Sequence, residues 1–238
     1  MDIKTMAPEH LEEAVTLLVS AFQDRPFYQY IAPDQVERRE FLTLNFRNRL
    51  EHSLGAGDIE LAFQDRRLTG IAVWSPPLNA PPPEDHSLEE AFSVFSPGLQ
   101  ERFFGFFRIL MAARDQTIRQ PYWSLAPIAV LPEEQGKGIA SALIRKKLRE
   151  IDASRIACFL GTQDAVNLDI YARYGFQKVR EDPLAPGRFH YTMIRPKQER
   201  GCSKTSVLEQ PLLPTNSKFF VPRSANQPPP YGGAGCYD

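Results

Sequence analysis

The stretch Val130-Leu-Pro-Glu-Glu-Gln-Gly-Lys-Gly-Ile-Ala-Ser-Ala-Leu-Ile144 limits what this chain can fold into more than any other. An apolar run, Tyr122–Val130, ends at a proline-marked turn, and Gln135-x-x-Gly138-x-Ala140 then opens a segment with helical periodicity. A helix that starts from a glycine-bearing loop leaves its first N–H groups without intrahelical acceptors. Together with the positive end of the helix dipole they suit a phosphate, read here as a pyrophosphate. Two common nucleotide loops do not fit. Gly136-Lys137-Gly138 does not supply the spacing of a P-loop, and Gly136-x-Gly138-x-x-Ser141 lacks the third glycine of the dinucleotide fingerprint.

The rest of the chain supplies elements to surround that unit. Residues 3–6 form a short strand candidate, and Pro8 opens a helix on which Leu11, Val15, Leu18 and Phe22 share a face. Asp34 caps a second helix carrying Phe41, Leu42, Leu44 and Phe46. Segments 58–64 and 68–74 read as strands joined at Asp65-Arg66-Arg67. Residues 87–120 look helical and are dense in phenylalanine. Helices are expected over 138–152 and 164–174, and strands over 122–130, 155–161, 176–179 and 189–195. Alternating strands and helices in this second half argue for parallel pairing, with helices packed on the sheet.

Composition narrows the function classes. Of 238 residues 42% are hydrophobic, enough for a core, and a net charge of −1 gives no electrostatic case for nucleic acid or a membrane surface. No apolar run reaches the roughly 18 residues of a membrane span, and no secretory signal is visible, so a soluble cytoplasmic protein is expected. Three widely spaced cysteines, Cys158, Cys202 and Cys236, make neither a disulfide framework nor a metal site, and no metal is expected. Residues 197–238 are rich in proline and glycine and read as a disordered tail. Within it Pro228-Pro-Pro-Tyr231 matches the ligand of a WW-domain protein, a match that chance in a proline-rich tail also explains.

Two further constellations carry chemistry. Pro127 interrupts the strand Tyr122–Val130, where a missing ladder donor supports a local bulge. Asn167 and Tyr171 stand one turn apart on one helix face, with Gly175 as a left-handed cap and Phe176 starting the next strand. Cys158 is the rival nucleophile, but Ile156-Ala-Cys-Phe-Leu160 reads as a strand covered on both faces. His190 and Glu60 are candidate bases, and neither is assigned the role. Lys137 and Arg145 are candidates for a nucleotide phosphate.

Gln135-x-x-Gly138-x-Ala140, followed after a strand by Asn167…Tyr171-x-x-x-Gly175-Phe176, resembles the GCN5-related N-acetyltransferase family. Ala21-Phe-x-Asp24-x-Pro26, Ala72-Val-Trp74-x-x-Pro77 and Trp123-x-Leu-Ala126 look like puromycin N-acetyltransferase and its small-molecule relatives. The resemblance covers roughly residues 1–196 and is weakest over 78–120. It implies an α/β (α+β) fold with a mixed central sheet splayed between its fourth and fifth strands and helices on both faces. It implies acetyl-CoA as acyl donor and a small-molecule amine as acceptor. Its pyrophosphate loop falls on Gln135, Gly136, Lys137, Gly138, Ile139, Ala140 and Ser141. By the same resemblance the backbones of Ile128, Ala129 and Val130 and the side chain of Asn167 hold the pantetheine arm, and Tyr171 protonates departing coenzyme A. A protein lysine or N-terminus as acceptor, an alcohol as acceptor, and a non-catalytic acyl-CoA-binding adaptor remain alternatives. The phenylalanines of 78–120 either wall the acceptor site or merely pack the insertion onto the core.

Overall fold

The computed structural model describes residues 1–54, 58–77, 87–119 and 121–198. The expected tail, with its WW-type motif and two of the cysteines, lies outside the described residues from 199 onward, as does 78–86 of the phenylalanine-rich insertion. One seven-stranded sheet organises the chain in the order β1-β2-β3-β4-β5-β7-β6. Its strands are β1 (Asp2–Thr5), β2 (Ile59–Gln64), β3 (Arg67–Ser75), β4 (Tyr122–Val130), β5 (Ala157–Thr162), β6 (Gln177–Ala185) and β7 (Arg188–Arg195).

The N-terminal half is antiparallel and local. β2 and β3 are joined by the two residues Asp65 and Arg66, at φ 48° and 68°. This is the left-handed pair that a two-residue hairpin needs, because its twist matches that of the strands. Both strands are almost wholly buried, as expected where helices cover both faces of a sheet. One face carries α1 (Leu11–Phe22), α2 (Pro26–Ile31), α3 (Gln35–Leu54), α4 (Ser87–Phe92) and α5 (Pro97–Thr117). Its core gathers Leu18, Phe41, Phe46, Ile71 and Phe103. The opposite face carries α6 (Ile139–Ser154) and α7 (Val166–Ala172), over Trp74, Leu143, Leu148 and Phe176.

Several boundaries depart from expectation for identifiable reasons. Asp34 caps as read, its Oδ1 accepting the Glu37 N–H at 2.8 Å, but the helix it starts is the third. The missed α2 is six residues long with Pro26 in its first turn, too short for a period to show. The expected helix over 87–120 is broken at 93–96, where Ser96 caps α5 through the Leu99 N–H. β6 runs on to Ala185 past Pro183, which an edge strand tolerates. On α6 the buried face is Ile139, Leu143, Ile144, Lys147, Leu148 and Ile151, with Ala140 at its margin. Lys147 is buried because Asp58 and Glu150 neutralise it, at 2.6 and 3.0 Å, and its ammonium sits 4.6 Å from the Trp123 ring centre.

The middle of the sheet positions the site. β4 pairs with β3 in antiparallel register, but Ala72 faces Ile128 while Trp74 faces Leu125. Val73 therefore stands opposite two residues, Ala126 and Pro127, and β4 is bulged there. Its parallel pairing with β5 covers only Tyr122–Leu125 against Ala157–Leu160. Beyond the bulge β4 stays with β3, while Gly161 and Thr162 of β5 stay with β7. The sheet thus parts between its fourth and fifth strands, with helices on both faces, as the resemblance implied.

Candidate active site

The parted strands open a cleft of about 2850 Å³, well beyond the 300–1,000 Å³ or so of a single small-molecule pocket. Of the residues that the resemblance assigns to the site, all but Lys137 line it: Ile128, Ala129, Val130, Gln135, Gly136, Gly138, Ile139, Ala140, Ser141, Asn167 and Tyr171. Lys137 turns away, its Nζ 2.8 Å from Glu134 Oε2, so it offers the cleft its backbone alone. Arg145 lies outside the cleft, on the outer face of α6 with Lys146 and Arg149.

The loop geometry follows from its glycines. Gly136 and Gly138 have φ of 79° and 82°, the left-handed region that side chains disfavour. Gly138 is the N-cap of α6 and brings no capping side chain. Among the described residues, none of the amides from Gly136 to Ser141 finds an acceptor in the protein; the first helical bond is Ala142 N–H to Gly138 C=O at 3.0 Å. A Cβ built on either glycine meets nothing within 4 Å. The loop therefore fits an anion: unpaired donors at a helix N-terminus face open space. Gln135 holds this shape, its side-chain amide donating to the Val130 carbonyl at 3.2 Å. One of its two amide N–H donors is thus spent on the loop.

Ladder alternation sorts the three β4 residues. Leu131 N–H donates to Thr69 C=O, and Ala129 is registered with Ile71. The backbone groups of Ala129 thus face β3, and those of Ile128 and Val130 face the gap left by β5. Across that gap, Asn167 Nδ2 donates to Thr162 Oγ1 at 3.0 Å, and its Oδ1 has no partner among the described residues. Tyr171 is held by the helix end behind it. Gly175, at φ 85°, and Phe176 donate to Ala172 and Tyr171 carbonyls at 3.0 and 3.3 Å, and the Phe176 ring meets the Tyr171 ring edge-on at 6.0 Å. This left-handed termination places the Gly-Phe pair where it fixes the tyrosine. Burial pushes the Tyr171 hydroxyl up to about 12, so it carries its proton throughout the neutral range. Tyr174 does not line the cleft.

The other candidates separate cleanly. Cys158 is fully buried and burial pushes its thiol up to about 12, which fits core packing and not a nucleophile. Glu60 is buried away from the cleft against α6, with Lys146 Nζ 3.0 Å from its Oε1. His190 lies beneath the cleft floor: a Cβ on Gly161 would come within 2.4 Å of its Cε1. Its Nδ1 is 3.0 Å from Gln163 Nε2, and its buried Nε2 has no partner among the described residues.

Burial pulls His190 down to about 4 from an ordinary 6.5. The folded state thus resists a proton that the unfolded chain accepts. Stability is whole above about pH 6.5 and falls as pH drops toward 4. Denaturant unfolding at pH 7 and pH 5 is expected to differ by up to about 2 kcal/mol more in the wild type than in His190→Gln. Equal pH dependence in the two proteins would contradict a buried neutral imidazole.

The phenylalanines divide between the two roles left open by the sequence. Phe92, Phe95 and Phe103 are buried around Phe41, with Phe92 and Phe103 stacked at 5.0 Å. Phe104, Phe106 and Phe107 are only partly buried and line the cleft, which the buried Phe103 also borders. Sequence reasoning missed Tyr28 and Arg49, which also line it. Neither falls in a motif, and only the packing of α2 and α3 brings them to β4. No helix among the described residues is long and apolar enough to cross a membrane, and they contain no group of three or more potential metal ligands.

Comparison with known proteins agrees with this geometry. Residues 98–178 match a family model described as an acetyltransferase (GNAT) domain. An uncharacterized N-acetyltransferase of Schizosaccharomyces pombe is 24% identical over 193 residues, covering 74% of each chain. Among solved structures, a histone acetyltransferase HPA2 and related acetyltransferase from Corynebacterium glutamicum shares the fold with a TM-score of 0.63. It is 20% identical, over 84% of this chain and 98% of that one. A polyamine N-acetyltransferase of Drosophila melanogaster, which forms N-acetylagmatine, gives a TM-score of 0.57 at 14% identity, over 81% and 98% of the two chains. The parted sheet, the anion-ready loop and these matches together support membership of the GCN5-related N-acetyltransferase family and the activity of an acetyl-CoA-dependent N-acetyltransferase.

Proposed function

We propose that residues 1–196 transfer an acetyl group from acetyl-CoA to the amine of a small molecule, by direct attack within a ternary complex. The observation that carries this reading is one cleft holding both the unpaired amides of Gly136–Ser141 and the Tyr171 hydroxyl, at the point where β4 leaves β5. Acetyl-CoA supplies the thioester. The loop amides hold the diphosphate, and the free edge of β4, through Ile128 and Val130, with Asn167 opposite, aligns the pantetheine arm. The Ile128 N–H donates to the carbonyl oxygen as negative charge collects there, the kind of interaction that is usually the largest catalytic term. The neutral amine forms the C–N bond and gives up its surplus proton to water in the cleft, the C–S bond breaks, Tyr171 gives its proton to the departing sulfur, and the phenolate regains a proton from water. Holding both reactants in one cleft adds the proximity term.

A small acceptor is favoured by the wall of Phe104, Phe106 and Phe107, and relatives of the same fold acetylate small amines such as agmatine. A basic peptide would favour an acidic groove. The acidic residues of this cleft are matched by Arg25, Arg49, Arg108, Arg114, Arg119 and Arg188 in its lining, and two of them, Asp115 and Glu134, are paired with Arg114 and Lys137. The test is release of free thiol from acetyl-CoA with a panel of arylalkylamines, polyamines and lysine peptides. Turnover with the small amines is expected to exceed that with peptides at least tenfold in kcat/KM, about 1.4 kcal/mol of transition-state binding. Tight coenzyme A binding with no thiol released by any amine would overturn it in favour of a non-catalytic binder.

A further inference from the structure

Arg49 is a charge in the cleft that the transfer chemistry above does not use. It stands on the last turns of α3, and its Nη1 reaches the Ala126 carbonyl at the β4 bulge, 3.3 Å away. That bond occupies one of five guanidinium donors. Among the described residues no carboxylate pairs with Arg49. The nearby Glu51 acts on Arg47, which is itself bidentate to Glu12. Tyr28 lines the same cleft, and its hydroxyl is near enough to act on the Arg49 charge.

Tyr28 is fixed by its neighbours, with Phe22, Phe27 and Phe46 rings at 5.6, 5.1 and 6.1 Å. Its hydroxyl makes no hydrogen bond among the described residues. Packing among these rings pushes it up to about 12, so it is a donor at neutral pH. Two unspent donors, one of them cationic, thus face an aromatic-walled cleft at the acyl end of β4. The Arg49 side chain is open to the cleft, so its charge and remaining donors are available to a ligand anion.

Coenzyme A phosphates do not supply that anion. Ala126 lies four residues before Val130, and strand rise puts it about 13 Å back from the start of the loop that carries the phosphate-facing amides. We propose that Arg49 and Tyr28 form a clamp for a carboxylate brought by a substrate, so that the enzyme prefers either an amine acceptor bearing a carboxylate or an acyl chain ending in one. The clamp rests on the acetyltransferase reading above and names a substrate class for it.

The test compares matched probes in the wild type, Arg49→Gln, Arg49→Lys and Tyr28→Phe. Phenylalanine is set against phenethylamine, and arginine against agmatine, with acetyl-CoA. Succinyl-CoA is set against acetyl-CoA with phenethylamine. Calorimetric titration of each acceptor into the coenzyme A complex, and of each acyl-CoA into the free enzyme, runs beside turnover, so a silent assay still gives an answer. The wild type is expected to favour the carboxylate-bearing member of one pair type at least tenfold, in kcat/KM or in affinity. Arg49→Gln abolishes the preference, Arg49→Lys and Tyr28→Phe retain part of it, and coenzyme A affinity stays within about twofold. Preference in the acceptor pairs assigns the carboxylate to the amine, and preference for succinyl-CoA assigns it to the acyl chain. Equal handling of all pairs by the wild type, or equal losses for both members of a pair in Arg49→Gln, overturns the clamp while leaving acetyl transfer standing. Failure of coenzyme A to bind the folded wild type would instead remove the acetyltransferase reading.

Discussion

Gly138→Val is expected to fold and to lose about a hundredfold or more in affinity for coenzyme A. At φ 82° a β-branched residue is strained by about 1–2 kcal/mol. Its side chain also enters the open space that the loop amides face, and each hydrogen bond lost to a charged oxygen costs about 1.5–3 kcal/mol. Gly136→Val, at φ 79°, is expected to act in the same direction. Calorimetry with coenzyme A, beside thermal melts of both variants, separates a lost anion site from a lost fold. Wild-type affinity in a well-folded Gly138→Val protein would sink the loop as the diphosphate site, and with it the alignment of everything downstream on β4.

Tyr171→Phe removes one oxygen and leaves the ring on Phe176. Its kcat is expected to fall about 10²- to 10⁴-fold, the usual range for a lost general acid, with coenzyme A affinity little changed. The residual rate is expected to be less depressed with a donor whose leaving thiol is more acidic, because such a thiolate departs without a proton. With the Tyr171 hydroxyl at about 12, loss of this proton does not limit the wild type below about pH 11. A basic limb near neutrality that vanishes in Tyr171→Phe would contradict that assignment. Steady-state kinetics over pH 6–10 with the two donors checks both statements.

The elements legible in the sequence were those whose determinants are local. The Gln135–Ala140 loop, the Asp34 cap and the Gly175-Phe176 helix end each depend on residues within a turn or two, and each forms as read. The bulge at Pro127 was also legible, since a missing donor within a central strand has few other accommodations. What escaped was set by packing between distant segments. Nothing local marks Lys147 for burial; Asp58, 89 residues away, decides it. Arg49 and Tyr28 belong to two helices whose meeting with Ala126 no periodicity reports. The helical period of α5 finds an apolar stripe but not which part of it meets the core and which the cleft.

That division within α5 ties catalytic range to folding. Phe103 is buried against the core and only borders the cleft, while its sequence neighbour Phe104 is half-exposed along the cleft wall, so adjacent positions answer to different selective demands. Trimming the outward rings at 104, 106 and 107 offers a route to bulkier acceptors at modest thermodynamic expense. The same change at 103 leaves a void of the kind that typically costs 3–5 kcal/mol. Diversification of such an enzyme therefore has an inexpensive register and a forbidden one on a single helix, one residue apart.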